Sequence, residues 1–141
     1  MEVLILIMKS QYAKIDSHKK KSDILVIHCS DPRFQNAYRS LIDELGKYYD
    51  LLVFPGASKA IVGNKSVLEN IKLLHSLHRF GEIQILDHVQ CGAFGEIDDE
   101  LKAHAKKLDA AGKLLKATIP GVKVKARLLG EKRELTVEPQ G

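Results

Sequence analysis

Apolar residues in this chain fall into short unbroken runs separated by stretches where they recur every three or four positions, and that alternation predicts its elements. Ile24-Leu25-Val26-Ile27 is aliphatic without a polar break, as a strand covered on both faces requires. The loop His28-Cys29-Ser30-Asp31-Pro32-Arg33 follows it, and Phe34, Tyr38, Leu41, Ile42 and Leu45 then recur at helical spacing until Gly46 stops the helix. Asp50 to Phe54 predicts a second strand, closed by Pro55-Gly56. Val67, Leu68, Ile71, Leu74 and Leu77 predict a helix over 66–79 with those residues inward, ended by Gly81. Ile83 to Asp87 predicts a third strand that runs into His88-Val89-Gln90-Cys91-Gly92-Ala93. Asp98 or Asp99 is placed to cap a helix whose inward stripe is Leu101, Ala105, Leu108, Ala111 and Leu115. Beyond Pro120-Gly121, Val122 to Leu128 alternates polar and apolar, the pattern of a strand wetted on one face and nearer a sheet edge. Glu134 to Val137 reads as a short last strand.

Strand and helix alternate with no internal repeat, so the expected fold is α/β: three layers, with a mainly parallel β-sheet flanked by helices. Residues 23–141 read as a single domain and 1–22 as an N-terminal lead-in. Within that lead-in, Val3-Leu4-Ile5-Leu6-Ile7 fits either a short edge strand or an arm docking on a partner.

Composition narrows the class. With 45% apolar and 28% charged residues the chain is neither a disordered nor a collagen-like polymer. At 141 residues it buries enough surface to fold without staples. No apolar run approaches the roughly 18 residues of a membrane span, and the first residues lack the basic leader and cleavage site of a secretory signal. Two cysteines cannot build a disulfide scaffold, so the expected setting is a reducing cytoplasm, with the thiols buried or bound to metal. A net charge of +4 is compatible with an anionic substrate or with nucleic acid and selects neither. The run His18-Lys19-Lys20-Lys21 has no interleaved aromatics for stacking on bases, so it reads as a solvated lead-in and argues against a nucleic-acid partner.

The chemistry-bearing residues cluster after strands. In open α/β sheets, ligands bind beyond the carboxyl ends of strands, where the winding order reverses. If the first and third strands flank that point, Cys29 meets His88 and Cys91 there. Two thiolates and an imidazole form a known Zn²⁺ set that leaves a fourth position for water or a carboxylate, and such ligands favour zinc over magnesium or calcium. The spacing His88-x-x-Cys91 lets one turn present two ligands, although alone it is a weak signal, since a cysteine after a strand commonly serves as a small buried hydrophobe. Cys-x-Asp-x-Arg at 29, 31 and 33, at the end of a different strand, strengthens it.

Cys29-Ser30-Asp31-Pro32-Arg33 followed by His88-Val89-Gln90-Cys91-Gly92 resembles the β-class carbonic anhydrases, whose marks are Cys-x-Asp-x-Arg and His-x-x-Cys-Gly. The resemblance runs from about Asp23 to Gly95, with compatible element order to about Val137. It implies Zn²⁺ on Cys29, His88 and Cys91, an Asp31–Arg33 dyad beside the metal, and a homodimer or higher homo-oligomer. The activity it implies is reversible hydration of carbon dioxide to bicarbonate, with metal hydroxide as nucleophile. Hydrolysis of a CO₂-like molecule (carbonyl sulfide or carbon disulfide) and a non-catalytic zinc-stabilised domain binding a small anion near Arg33 are the alternatives. A redox or metal-sensing protein is a third and weaker one.

Two roles are open to Asp31: accepting a hydrogen bond that orients the nucleophile, or closing the fourth metal position itself. A bidentate Arg33 keeps it ionised and off the metal. His28, His75 and His78 have the ordinary pKa of proton shuttles, and none is assigned that role. The chain departs from the family at Phe54-Pro55-Gly56-Ala57-Ser58-Lys59, where Arg-Asn-Ala-Gly-Asn is usual, and at Asp87, where glycine is common. With 28 residues before Cys29, the N-terminal arm is also short. These departures bear on turnover and leave the metal expectation intact.

Overall fold

The structure, a computed structural model, describes residues 21–130 and the backbone of 134–135. The apolar run 3–7, residues 18–20 of the lysine run and the end of the last predicted strand, 136–137, lie outside the described residues. In chain order the elements are β1 (Ile24–His28), α1 (Gln35–Leu45), β2 (Tyr49–Val53), α2 (Ser58–Gly63), α3 (Lys65–His78), β3 (Glu82–His88), α4 (Glu100–Thr118), β4 (Lys123–Leu129) and β5 (Glu134–Leu135). Single 3₁₀ turns stand at Pro32–Phe34 and Gly92–Phe94.

The sheet order is β2-β1-β3-β4-β5. The first four strands are mutually parallel, and β5 joins antiparallel at the edge. Every residue of β1 is buried, which explains its unbroken apolar run: β2 and β3 lie on its two sides and helices cover both of its faces. Because the chain moves from β1 to one side and returns to the other, β1 and β3 flank the point where winding reverses, as the sequence predicts, and a crevice opens at their carboxyl ends.

The core divides along the sheet. On one face Leu25, Ile27, Ile83 and Ile85 pack against Ile61, Val67, Ile71, Leu108, Ala111 and Leu115 from α2, α3 and α4. On the other, Ile24, Val26, Leu86 and Leu129 meet Phe34, Tyr38 and Ile42 from the first 3₁₀ turn and α1. Gly46 ends α1 in the left-handed conformation at φ 58°, which glycine adopts without strain. Of the two candidate caps it is Asp99 that starts α4, its carboxylate accepting the Lys102 N–H at 3.1 Å.

The structure corrects the predicted elements at three places. The six-residue α2 is too short to leave a periodic signal, and only Ser58 and Ile61 of it are buried. Leu77 and Leu101, expected inward, are 54% and 53% exposed; each sits near one end of its helix, outside the core that the middle of the helix builds. In β4 the alternation gives way at Leu128 and Leu129, both buried, where β5 pairs. Among the described residues no helix is long and apolar enough to cross a membrane.

This burial pattern sets an expected stability contrast. Ile85→Ala, at a fully buried central position, is expected to cost about 2–5 kcal/mol in denaturant unfolding, whereas Leu77→Ala changes stability by less than about 0.5 kcal/mol. Equal effects at the two positions contradict the assignment of the core.

Candidate metal centre

Cys29 is the first residue beyond β1, His88 is the last of β3, and Cys91 lies three residues further, at the entry to the second 3₁₀ turn. Their ligand atoms all fall within 4.8 Å of one another. The two sulfurs are 3.8 Å apart. Two sulfurs bound tetrahedrally to zinc at about 2.3 Å stand about 3.8 Å apart, so the thiols already have the separation the ion requires. All three side chains are buried, and no disulfide joins the cysteines.

The imidazole is oriented from its far side. His88 Nδ1 lies 2.7 Å from the Val89 carbonyl, and a carbonyl only accepts, so Nδ1 carries the proton and donates it. That tautomer leaves an electron pair on Nε2, which is buried and has no hydrogen-bond partner. The Phe34 ring stacks on the imidazole with centroids 4.2 Å apart and fixes its plane. Burial pushes the His88 pKa below its ordinary value, which favours the neutral, ligating form. Burial likewise pushes the Cys91 thiol up to about 11. Gly56 supplies a contact that sequence reasoning missed: its N–H points to Cys29 Sγ at 3.4 Å. It adopts φ +81°, and a Cβ there would stand 3.0 Å from that of Ala93, so only glycine fits.

Asp31 and Arg33 lie beside this trio. Arg33 Nε and Nη2 donate to Asp31 at 3.1 and 2.7 Å, and the Arg33 backbone N–H donates to the same carboxylate at 2.9 Å. These hydrogen bonds, led by the guanidinium, hold the carboxyl down to about 2. Asp31 Oδ2 is 3.7 Å from His88 Nε2. Arg33 also donates to the Gln90 carbonyl at 2.8 Å and so joins the two ligand loops. Because Arg33 is half exposed, such a pair contributes only about 0–1 kcal/mol to stability, and its consequence is geometric. Gln35 braces the first loop through hydrogen bonds to the Cys29 and Asp31 carbonyls at 3.1 and 2.7 Å.

His28, His75 and His78 stand outside this trio. His28 is buried, stacked on Tyr38 at 4.1 Å, with Nδ1 donating to the Cys29 carbonyl. His75 and His78 occupy the last turn of α3, at the opposite end of the sheet, and His78 pairs with Asp50. A buried cluster of Ser58, Asp87 and His104 borders the ligand loop, with His104 Nδ1 2.7 Å and Ser58 Oγ 2.6 Å from Asp87 Oδ2. Its traces in the sequence are a charged residue closing an apolar strand and a histidine four residues before Leu108 on the inward stripe of α4.

The protonation state of the cluster makes metal uptake dependent on pH. A divalent ion must displace the Cys91 proton, which is held up to about 11, so affinity rises as pH increases from about 6 to 8 and each ion bound releases at least about one proton. Calorimetry in buffers of different ionisation enthalpy reads that number; pH-independent uptake contradicts it.

A family described as "Putative carbonic anhydrase" matches residues 19–137. An uncharacterized protein of Rickettsia bellii is 31% identical over 127 residues, covering 78% of this chain and 77% of that protein. One of Rickettsia conorii is 30% identical over 127 residues, covering 78% and 68%. Among solved structures, the β-carbonic anhydrase isoform I of Trichomonas vaginalis aligns with a TM-score of 0.66 at 14% identity, over 92% of this chain and 88% of that one. The carbonic anhydrase of Streptococcus mutans gives 0.62 at 18% identity, over 85% and 84%. A carbon disulfide hydrolase gives 0.57 at 13%, over 86% and 82%. These likenesses reach the fold, and with the family match over most of its length the chain belongs to this carbonic anhydrase family.

Proposed function

We propose that the chain is a zinc enzyme that hydrates carbon dioxide reversibly to bicarbonate, with Cys29, His88 and Cys91 as metal ligands and Asp31 and Arg33 as the catalytic pair. The observation that carries this reading is the orphaned, buried Nε2 of His88 beside two thiols at the sulfur separation of tetrahedral zinc. Two sulfurs and an imidazole suit zinc and do not suit magnesium or calcium. Zinc in such a site supplies a Lewis acid that makes water acidic enough to attack carbon dioxide near neutral pH. Arg33 keeps both Asp31 oxygens engaged, so the carboxylate is held as an acceptor next to the ligands and is restrained from becoming one of them. Its ionised state lets it take a hydrogen bond from a reacting water and fix where the oxygen's free electron pair points. A reducing cytoplasm, where both thiols persist, is the setting proposed for it.

We infer further that the working unit is a homodimer. The edge strand β2 presents Tyr49, Leu51 and Val53 on one face, each more than 40% exposed, with Tyr48 at 63% beside them. Among the described residues β2 is an edge strand of the sheet; the exposed apolar side chains of Tyr49, Leu51 and Val53 there mark a contact surface, and a second copy pairing the same edge closes it symmetrically. Light scattering of the zinc-loaded protein is expected to give twice the chain mass and Leu51→Lys a larger monomer fraction; a wild-type monomer at all concentrations contradicts the dimer.

Stopped-flow hydration tests the activity. The zinc-loaded chain is expected to hydrate carbon dioxide faster than buffer, and Asp31→Ala to lower the rate about 10–100-fold while zinc content is retained. A wild-type rate no better than buffer contradicts the enzyme reading and leaves a zinc-stabilised domain. The likeness of fold to a carbon disulfide hydrolase favours one second reading, hydrolysis of a CO₂-like molecule. Sulfide release from carbon disulfide by the same preparation distinguishes it.

A further inference from the structure

The cluster of Ser58, Asp87 and His104 lies next to the metal centre, is fully buried, and has no part in the chemistry proposed above. Asp87 directly precedes His88 in β3 and so faces the opposite side of the sheet, toward α2 and α4. Its carboxylate accepts the backbone N–H of Ser58 at 3.1 Å, the Ser58 hydroxyl at 2.6 Å and His104 Nδ1 at 2.7 Å. Ser58 opens α2 two residues after Gly56, whose N–H reaches Cys29 Sγ. The carboxylate before one ligand is therefore tied to the turn that contacts another.

The segment carrying Cys91 is held from α4 on both sides. Three residues after Cys91, the Phe94 ring packs on the His104 imidazole with centroids 4.1 Å apart. Immediately before it, the Gln90 N–H donates to Glu100 Oε1. Glu100 lies one turn before His104 on the same helix, and its carboxylate is 3.7 Å from His104 Nε2. Gln90 has φ +56°, a conformation that side chains rarely adopt, so its position depends on the contacts on either side. The loop that presents His88 and Cys91 is thus backed by the bonds of Ser58 and His104 to Asp87 and held at Gln90 by Glu100 of the same helix, while His104 Nε2 is buried without a hydrogen-bond partner of its own.

Stability alone does not account for such an arrangement. A buried polar network is commonly no more stabilising than well-packed apolar residues of the same volume, but it enforces one geometry because every alternative leaves a donor or acceptor unpaired. Metal ligands need that enforcement, since loosening their supports weakens metal binding even when the ligands remain.

We propose that His104, acting through Asp87, is the positioning residue of the metal centre, holding the 88–94 loop so that His88 and Cys91 aim at one point. The proposal rests on the assignment of Cys29, His88 and Cys91 as metal ligands and does not depend on turnover.

The test compares His104→Phe, which keeps the ring and loses the donor, with His104→Asn, which places an amide N–H where Nδ1 stands, and with Ser58→Ala. Zinc affinity is measured by competition with a chromophoric chelator, the ligand geometry by the visible ligand-field bands of the cobalt-substituted protein, and folding by thermal unfolding of the metal-free chain. His104→Phe is expected to lose about tenfold or more in zinc affinity, with weakened and shifted cobalt bands. His104→Asn is expected to stay within about threefold of wild type with its bands restored, and Ser58→Ala to fall between them. Wild-type affinity and spectrum in His104→Phe, or equal losses in the Phe and Asn variants, overturn the proposal. Should His104→Phe fail to fold, an unchanged Ser58→Ala overturns it instead. A wild-type chain that binds zinc but does not hydrate carbon dioxide sinks the catalytic reading and leaves this one standing, while a wild-type chain that binds neither metal overturns both.

Discussion

A polar nitrogen kept dry and unpaired costs a fold about 1–3 kcal/mol, and His88 Nε2 is such an atom. Its ring is fixed by the Phe34 stack and by the bond from Nδ1 to the Val89 carbonyl, so the nitrogen cannot turn away to find a partner. Beside it stand two buried thiols whose sulfurs are separated by 3.8 Å. In the metal-free chain burial opposes ionisation of the Cys91 thiol. A divalent ion reverses each of these costs at once, because it takes the electron pair of the imidazole and stabilises the thiolates. A divalent ion with affinity for sulfur would satisfy all three groups together.

The sheet makes this convergence possible. Parallel pairing of β1 with β3 sets His28 against Leu86, so β3 extends two residues past the end of β1 and brings His88 level with the loop carrying Cys29. The loops are then cross-linked by polar contacts of small energetic weight and large geometric effect. Arg33 bridges Asp31 to the Gln90 carbonyl, Gln35 holds the carbonyls of the first loop, and Gly56 brings a backbone N–H to Cys29. Behind the second loop, the buried carboxylate of Asp87 gathers donors from α2 and α4. Local contacts with different elements thus determine where each donor points.

Much of the fold was legible because its signals are strong and local. The apolar runs of β1 and β3, the glycine stop at Gly46 and the stripe Ala105, Leu108, Ala111 and Leu115 each have one physical reading, and the structure bears them out. The meeting of Cys29 with His88 and Cys91 was legible from the rule that ligands gather where strand order reverses. What escaped was either short or nonlocal. The α2 helix is one and a half turns without a repeat, and Leu77 and Leu101 continue their helical stripes near helix ends that lie outside the core. His104 and Ser58 are distant in sequence from Asp87 and carry no spacing that links them. Only the packing of α2 and α4 over β3 brings them together.

X-ray absorption at the metal edge, on protein purified with zinc present and then freed of loosely held ions, bears most directly on whether these three groups share one ion. One zinc per chain with a shell of two sulfurs and two lighter atoms is the expected result. A chain that retains no zinc, or a shell with no sulfur in it, contradicts the assignment of Cys29, His88 and Cys91 and removes the basis for the chemistry built on them.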